Sequence, residues 1–137
     1  MRLWHYKLVP YLPNSQLLAQ WRELNSIYKK QDKHILINYI YEYGKIDLLK
    51  YSNLVLAEME CRGYKVKSLE NYNNYFGSYL KYDTNGYIPF VKHHNTSYLI
   101  QCYYNLQEKY DRGQKDFDRE TYCKLEIFME EVIMNER

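Results

Sequence analysis

Apolar side chains recur at helical spacing in four stretches of this chain, and this period limits the fold more than any other feature of the sequence. Asn14 or Ser15 can cap the first stretch, which we expect to continue as a helix to about Lys30. Its apolar face is formed by Leu17, Trp21, Leu24 and Tyr28. Steps of about 100° per residue turn Glu23 away from this face and from the core.

The other three stretches predict helices of similar length. The second begins near Asp47 as its cap and stops at Gly63, the third covers about 95–113, and the fourth covers about 118–135. The sequence therefore predicts an all-α fold, a compact irregular bundle of three to four helices.

The segments outside the helices have a different composition. Pro10 and Pro13 fit poorly inside a helix, so residues 1–13 are predicted to form an extended N-terminal arm. Residues 31–44 are rich in β-branched and aromatic side chains and could form a strand or a buried connection. Residues 64–92 contain Asn, Tyr and Gly clusters, which predict a long loop with short turns.

Chain length predicts the number of domains, and the distribution of charge indicates which half of the chain could face phosphates. The 137 residues fit a single domain that spans 1–137. Residues 1–67 hold 11 Lys and Arg against 6 Asp and Glu, whereas residues 68–137 hold 8 against 11. The first half is therefore the better candidate for a surface that faces phosphates.

Metal sites and membrane segments have little support in the sequence. Cys61, Cys102 and Cys123 show no CxxC or Cys/His spacing, which is typical of a reduced cytoplasmic protein without structural zinc. His93 and His94 are adjacent and point in different directions, so we expect no shared metal and no cofactor. No run of about 18 apolar residues suggests a membrane span.

The adjacent Arg22 and Glu23 are the remaining candidates for chemistry. The chain has no phosphate-binding glycine loop, HExxH, GxSxG or dinucleotide fingerprint. Taken alone, an exposed Arg-Glu pair on a helix is most often solvated surface.

Three blocks of sequence favour a catalytic interpretation of this pair. They are "MRLWHYKLVPYLPNSQLLAQWRELNSIY", "KIDLLKYSNLVLAEMECRGYKV" and "GYIPFVKHHNTSYLIQCYYNLQEKY". In this order and spacing the blocks resemble the pyrimidine dimer DNA glycosylase family, the phage-type endonuclease V proteins. The resemblance implies that an N-terminal amine displaces the damaged base, forms a Schiff base and nicks the strand by β-elimination.

The resemblance also implies roles for individual residues. Met1 matches the position of the nucleophilic amine, and Glu23 matches the catalytic carboxylate. Arg2, Arg22 and Lys109 match residues that bind substrate or DNA. The implied partner is double-stranded damaged DNA, and we expect the protein to act on it as a monomer.

Several departures from the family pattern leave alternatives open. Met1 stands where the family has a small residue, Ser26 and Asn105 replace basic residues, and an aromatic-basic C-terminal tail is missing. We therefore expect weaker DNA binding or a different substrate. One alternative is a non-catalytic module that binds nucleic acid or protein. Another is an enzyme that uses the same amine and carboxylate on RNA or a small nucleoside.

Overall fold

A computed structural model describes residues 1–135 of the chain, and this part is built from helices. Its α-helices are α1 (Asn14–Lys30), α2 (Lys45–Cys61), α3 (Glu70–Phe76), α4 (Thr96–Asp111) and α5 (Arg119–Asn135). Shorter 3-10 helices occur at Tyr6–Tyr11, Asn38–Glu42 and Gly77–Lys81. Residues 1–135 contain no strand, which confirms the all-α prediction. In the same range, no helix combines the length and apolar character needed to cross a bilayer.

Helix α1 packs against α2 and α3, and the 3-10 helix at Tyr6–Tyr11 packs against α2, α4 and α5. The predicted apolar face of α1 is largely buried, and it also includes a polar residue, Gln20. The buried residues of α1 are Leu17, Gln20, Leu24, Ile27 and Tyr28. Burial of this face stabilises the helix more than the intrinsic preference of its residues does. Burial of this face fixes the position of α1. The side chains on its two flanks, beside the buried face, can therefore contribute to a site.

The start of α2 differs from the prediction. Gly44 precedes the helix, and Asp47 lies inside its first turn rather than capping it. The buried Asp47 carboxylate instead accepts hydrogen bonds from the Tyr87 hydroxyl at 2.8 Å and from the Phe90 backbone N–H at 2.7 Å. The predicted stop at Gly63 is confirmed, since Gly63 follows the helix with a φ of 84°.

The first turn of α1 also differs from the prediction. Pro13 is the residue that precedes the helix, so Asn14 and Ser15 lie within it and neither side chain caps it. The Ser15 backbone N–H instead donates to the Asp116 carboxylate at 2.6 Å, a partner distant in sequence. In α4, by contrast, Asn95 caps the helix with its side-chain oxygen, which accepts the Tyr98 backbone N–H.

The N-terminal arm and residues 31–44 are more helical than expected. Residues 1–13 include the 3-10 helix at Tyr6–Tyr11, with Pro10 inside it. A helix this short tolerates proline because only one backbone donor is lost. Of the two alternatives for residues 31–44, the structure has the connection, which includes the 3-10 helix at Asn38–Glu42.

Residues 64–92 contain a short α-helix that the sequence pattern did not predict. Helix α3 buries Phe76, whose ring packs edge to face against Tyr28 at 5.3 Å and Tyr72 at 5.2 Å between centroids. The contact with Tyr28 of α1 supplies stabilisation that a seven-residue helix lacks by itself.

Candidate active site

Gln20 of α1 holds residues 2–4 in place by hydrogen bonds to their backbone. No strand in residues 1–135 pairs with this segment. Its amide Nε2 donates to the Arg2 carbonyl at 3.0 Å, and its Oε1 accepts the Trp4 backbone N–H at 2.9 Å. The same Oε1 lies 2.9 Å from the oxygen of the Tyr51 hydroxyl. Gln20 is 1% exposed, so these partners satisfy an amide that would otherwise be costly to bury.

Two tyrosines bind further backbone carbonyls of the same segment. The Tyr51 hydroxyl of α2 donates to the Trp4 carbonyl at 2.7 Å, and the Tyr98 hydroxyl of α4 donates to the Leu3 carbonyl at 2.5 Å. Three helices therefore hold residues 2–4 through side-chain hydrogen bonds. These bonds replace the ladder that a neighbouring strand would supply.

Two buried histidines bind backbone groups of the residues that follow this segment. His94 accepts the Tyr6 backbone N–H at Nδ1, and a neutral ring of this tautomer donates from Nε2 to the Tyr39 hydroxyl at 2.6 Å. His5 accepts the Lys7 backbone N–H and donates to the His94 carbonyl at 2.8 Å. Burial lowers the pKa of His5 to about 4 and that of His94 to about 2, so both rings are neutral at pH 7.

The segment held in this way covers one flank of α1 and lines an open cavity of about 250 Å³. The cavity is lined by Met1, Arg2, Trp4, Gln16, Glu23, Leu36, Asn105 and Lys109. The structure therefore brings together four of the five predicted site residues, from the N-terminus, α1 and α4.

Glu23 is half-buried, because Met1 and Arg2 lie over the helix flank that the sequence predicted to face solvent. Burial raises the pKa of its carboxyl, an effect partly offset by the N-terminal amine, the Arg2 backbone N–H and the charge of Arg22. Gln20 also donates a hydrogen bond to Glu23 at 3.0 Å. The amine and the carboxylate are not among the direct ion pairs found in residues 1–135. A carboxylate with a raised pKa exchanges protons more readily near neutral pH.

Arg2 forms part of the cavity wall with its side chain against aromatic rings. Its guanidinium carbon lies 5.8 Å from the centroids of both Trp4 and Tyr98, and its Nη1 lies 3.9 Å from the Cys102 Sγ. These contacts leave a fixed positive charge beside the cavity. Lys109 adds a second cation on α4.

Arg22 does not share this cavity. It is exposed on the outer side of α1, and it lines a separate groove together with Lys65 and Lys67. Neighbouring helical residues point about 100° apart, which explains why Arg22 and Glu23 reach different surfaces.

Four residues that hold the site together were not predicted as site residues from the sequence, namely Gln20, Tyr51, Tyr98 and His94. Gln20 had a detectable signal, because its helical position places a polar side chain between Leu17 and Leu24 on the apolar face of α1. The other three residues act through contacts that depend on the tertiary fold. In residues 1–135 no group of three or more His, Cys, Asp or Glu is arranged to hold a metal.

Comparison with known proteins indicates a family for this chain. A sequence model of a family described as pyrimidine dimer DNA glycosylase matches residues 1–71. Neither a curated protein nor a solved structure matches the chain. The matched residues include the N-terminal segment and all of α1, and thus Met1, Gln20 and Glu23. They exclude α4, which supplies Tyr98 and Lys109.

Proposed function

The chain belongs to the pyrimidine dimer DNA glycosylase family, and from this premise we propose that it is a DNA-repair glycosylase with abasic-site lyase activity. The observation that carries the proposal is that Met1 and Glu23 line the same cavity of about 250 Å³. Residues 1–137 act as one domain, as a cytoplasmic monomer on damaged double-stranded DNA.

The Met1 α-amine is the nucleophile in this mechanism. Its neutral form attacks C1′ of the damaged nucleotide, and the bond from C1′ to the base breaks as the base departs. Loss of a proton from the attached nitrogen and opening of the sugar ring give a Schiff base. Removal of a C2′ proton then eliminates the 3′ phosphate and nicks the strand. An α-amine suits this role because its reference pKa is about 8, well below that of lysine.

Glu23 is the proton relay. It accepts the proton that the attacking nitrogen loses, and it returns a proton to the sugar oxygen as the ring opens. Its burial beside the amine supports this role, since a carboxylate with a raised pKa is a stronger base. Gln20 positions both groups, because its Nε2 donates to the Arg2 carbonyl and to Glu23.

The charge of the cavity lining favours DNA over a free nucleoside. Arg2 and Lys109 place two cations at the cavity, which suits a sugar that remains attached to a bound phosphate backbone. Opening the duplex costs a few kcal/mol, and the cost is lowest at a lesion that already weakens stacking.

Borohydride trapping tests the proposal directly. Incubation with a duplex that contains an abasic site or a pyrimidine dimer should give a covalent adduct, whereas undamaged duplex should give none. Glu23→Gln should lower the rate of trapping about 100-fold or more, the size typical of a lost acid-base group. Glu60→Gln is the matched control, since Glu60 is exposed on α2 outside the cavity. Absence of an adduct with every damaged duplex would reject the proposal.

A non-catalytic DNA-binding module is the second candidate. It is favoured by Asn105, which lines the cavity where the family pattern has a basic residue. This alternative predicts that binding is indifferent to damage and that Glu23→Gln behaves like the wild-type protein.

A further inference from the structure

A second concave surface lies on the opposite flank of α1, between that helix and residues 65–68. We call it the lysine groove; its volume is about 560 Å³. It is lined by Leu18, Trp21, Arg22, Met59, Lys65, Val66, Lys67 and Ser68. The lining contains three cations and no carboxylate, unlike the cavity that holds Glu23.

The three cations of the lysine groove are available to a ligand. Arg22, Lys65 and Lys67 are exposed, and none of them belongs to an ion pair within residues 1–135. All three also fall in the half of the chain that carries excess positive charge. Groups of this kind attract a polyanion, because their charges are not neutralised within the protein.

The outer side of α1 connects the lysine groove to the candidate active site. Helical geometry places small or basic side chains along this side, and it carries no carboxylate. These side chains are Ser15, Ala19, Arg22, Ser26 and Lys29. The Asp116 carboxylate lies beside Ser15 and the Asp32 carboxylate beside Ser26. A phosphate backbone that leaves the cavity can therefore cross α1 between them, at Arg22, and reach Lys65 and Lys67.

We propose that the lysine groove binds the phosphate backbone of the DNA where it crosses α1 from the candidate active site. This inference rests on the proposed function, because it assigns the path of the same substrate. Arg22 and the two lysines bind phosphates, while Leu18, Trp21 and Val66 offer apolar surface to the sugars. Contacts to phosphate position a duplex and do not depend on its sequence.

The test measures binding separately from chemistry. Glu23→Gln protein that also carries Lys65→Ala and Lys67→Ala is titrated with labelled duplex over a range of salt concentrations. Each lost phosphate contact lowers the slope of log affinity against log salt by about 0.9. We therefore expect the slope to fall by about 1.8, with affinity at least tenfold weaker at low salt. Circular dichroism checks that the exposed substitutions preserve the fold.

A matched control removes the same charge elsewhere. Lys115→Ala with Lys124→Ala changes two exposed lysines in and before α5, outside both the cavity and the lysine groove. This pair should leave the slope within about 0.3 of the parent value. An unchanged slope in the groove variant, or an equal fall in the control, overturns the proposal.

Trapping assays distinguish failure of this inference from failure of the proposed function. With Glu23 intact and enzyme below saturating concentration, the Lys65→Ala, Lys67→Ala variant should trap abasic DNA at least tenfold more slowly than wild type, in proportion to its lost affinity. Normal trapping with an unchanged salt slope rejects the lysine groove alone. A lowered slope in a protein that never traps DNA keeps the groove and rejects the enzyme. Absence of any DNA binding rejects both.

Discussion

The two flanks of α1 differ in how their polar groups are held. On the flank with Glu23, hydrogen bonds from Gln20 fix the carboxylate and the N-terminal segment, and burial raises the carboxyl pKa. On the flank with Lys65 and Lys67, the cations are exposed and form no ion pairs within residues 1–135. The first arrangement suits chemistry, which needs fixed distances. The second suits sequence-independent binding, which needs only charge.

The largest effect is expected from Gln20→Met, which removes the hydrogen bonds that fix the flank with Glu23. The variant keeps the length of the side chain but leaves the Arg2 carbonyl and the Trp4 N–H without their amide partner. Each buried group left unpaired costs about 1–3 kcal/mol, so we expect unfolding by urea at a much lower midpoint. The trapping rate of the remaining folded protein should fall about 100-fold, because the N-terminal segment is no longer fixed.

Gln101→Met is the control for this substitution, since Gln101 is exposed on α4. It should leave both stability and trapping unchanged. If Gln20→Met traps DNA at the wild-type rate, the hydrogen bonds of Gln20 do not position the site.

Tyr98→Phe tests the contribution of α4 to the same flank. Loss of the hydroxyl leaves the Leu3 carbonyl unpaired and should cost about 1–3 kcal/mol of unfolding free energy. We expect the single-turnover rate to fall about tenfold while the affinity for DNA stays within twofold. Tyr104→Phe, on an exposed tyrosine of the same helix, should change neither. If the two variants have the same stability and the same single-turnover rate, α4 does not help to position Met1.

The four longer α-helices could be predicted from the sequence, whereas the cavity could not. The helical period predicted four α-helices because each buries one apolar face, and the family resemblance predicted roles for Glu23 and Met1. The cavity itself depends on residues 2–4 folding against three helices, and no local pattern encodes that contact. Asp47 shows the same limit. Asp is a common helix-capping residue, yet the carboxylate of Asp47 is bound by partners 40 and 43 residues away.

The buried histidines predict how stability changes with pH. The pKa of His5 is lowered from about 6.5 in the unfolded chain to about 4 when folded, so only the unfolded state gains the proton in between. Stability from this group is complete above pH 6.5 and falls as the pH approaches 4, by about 3 kcal/mol on the linkage relation. Urea midpoints of wild type and His5→Gln should converge towards acid pH. The exposed His34, changed to Gln, should give a curve parallel to that of wild type.

The smallest expected effect concerns binding at the rim of the cavity. Asn105→Lys restores a cation one helical turn before Lys109, on a residue that lines the same cavity. One added phosphate contact should steepen the salt slope by about 0.9 and tighten binding a few-fold. Gln107→Lys adds the same charge to another face of α4 and should leave the slope unchanged. A steeper slope in both variants would mean that net charge alone controls affinity.

In the proposed mechanism the amine of residue 1, beside Glu23, forms the covalent bond to DNA. Peptide mass spectrometry of the borohydride-trapped complex measures the attachment point. The reduced sugar adduct should map to the α-nitrogen of Met1. An adduct on the side chain of Lys109 or another lysine, with the amine of residue 1 unmodified, would contradict the mechanism.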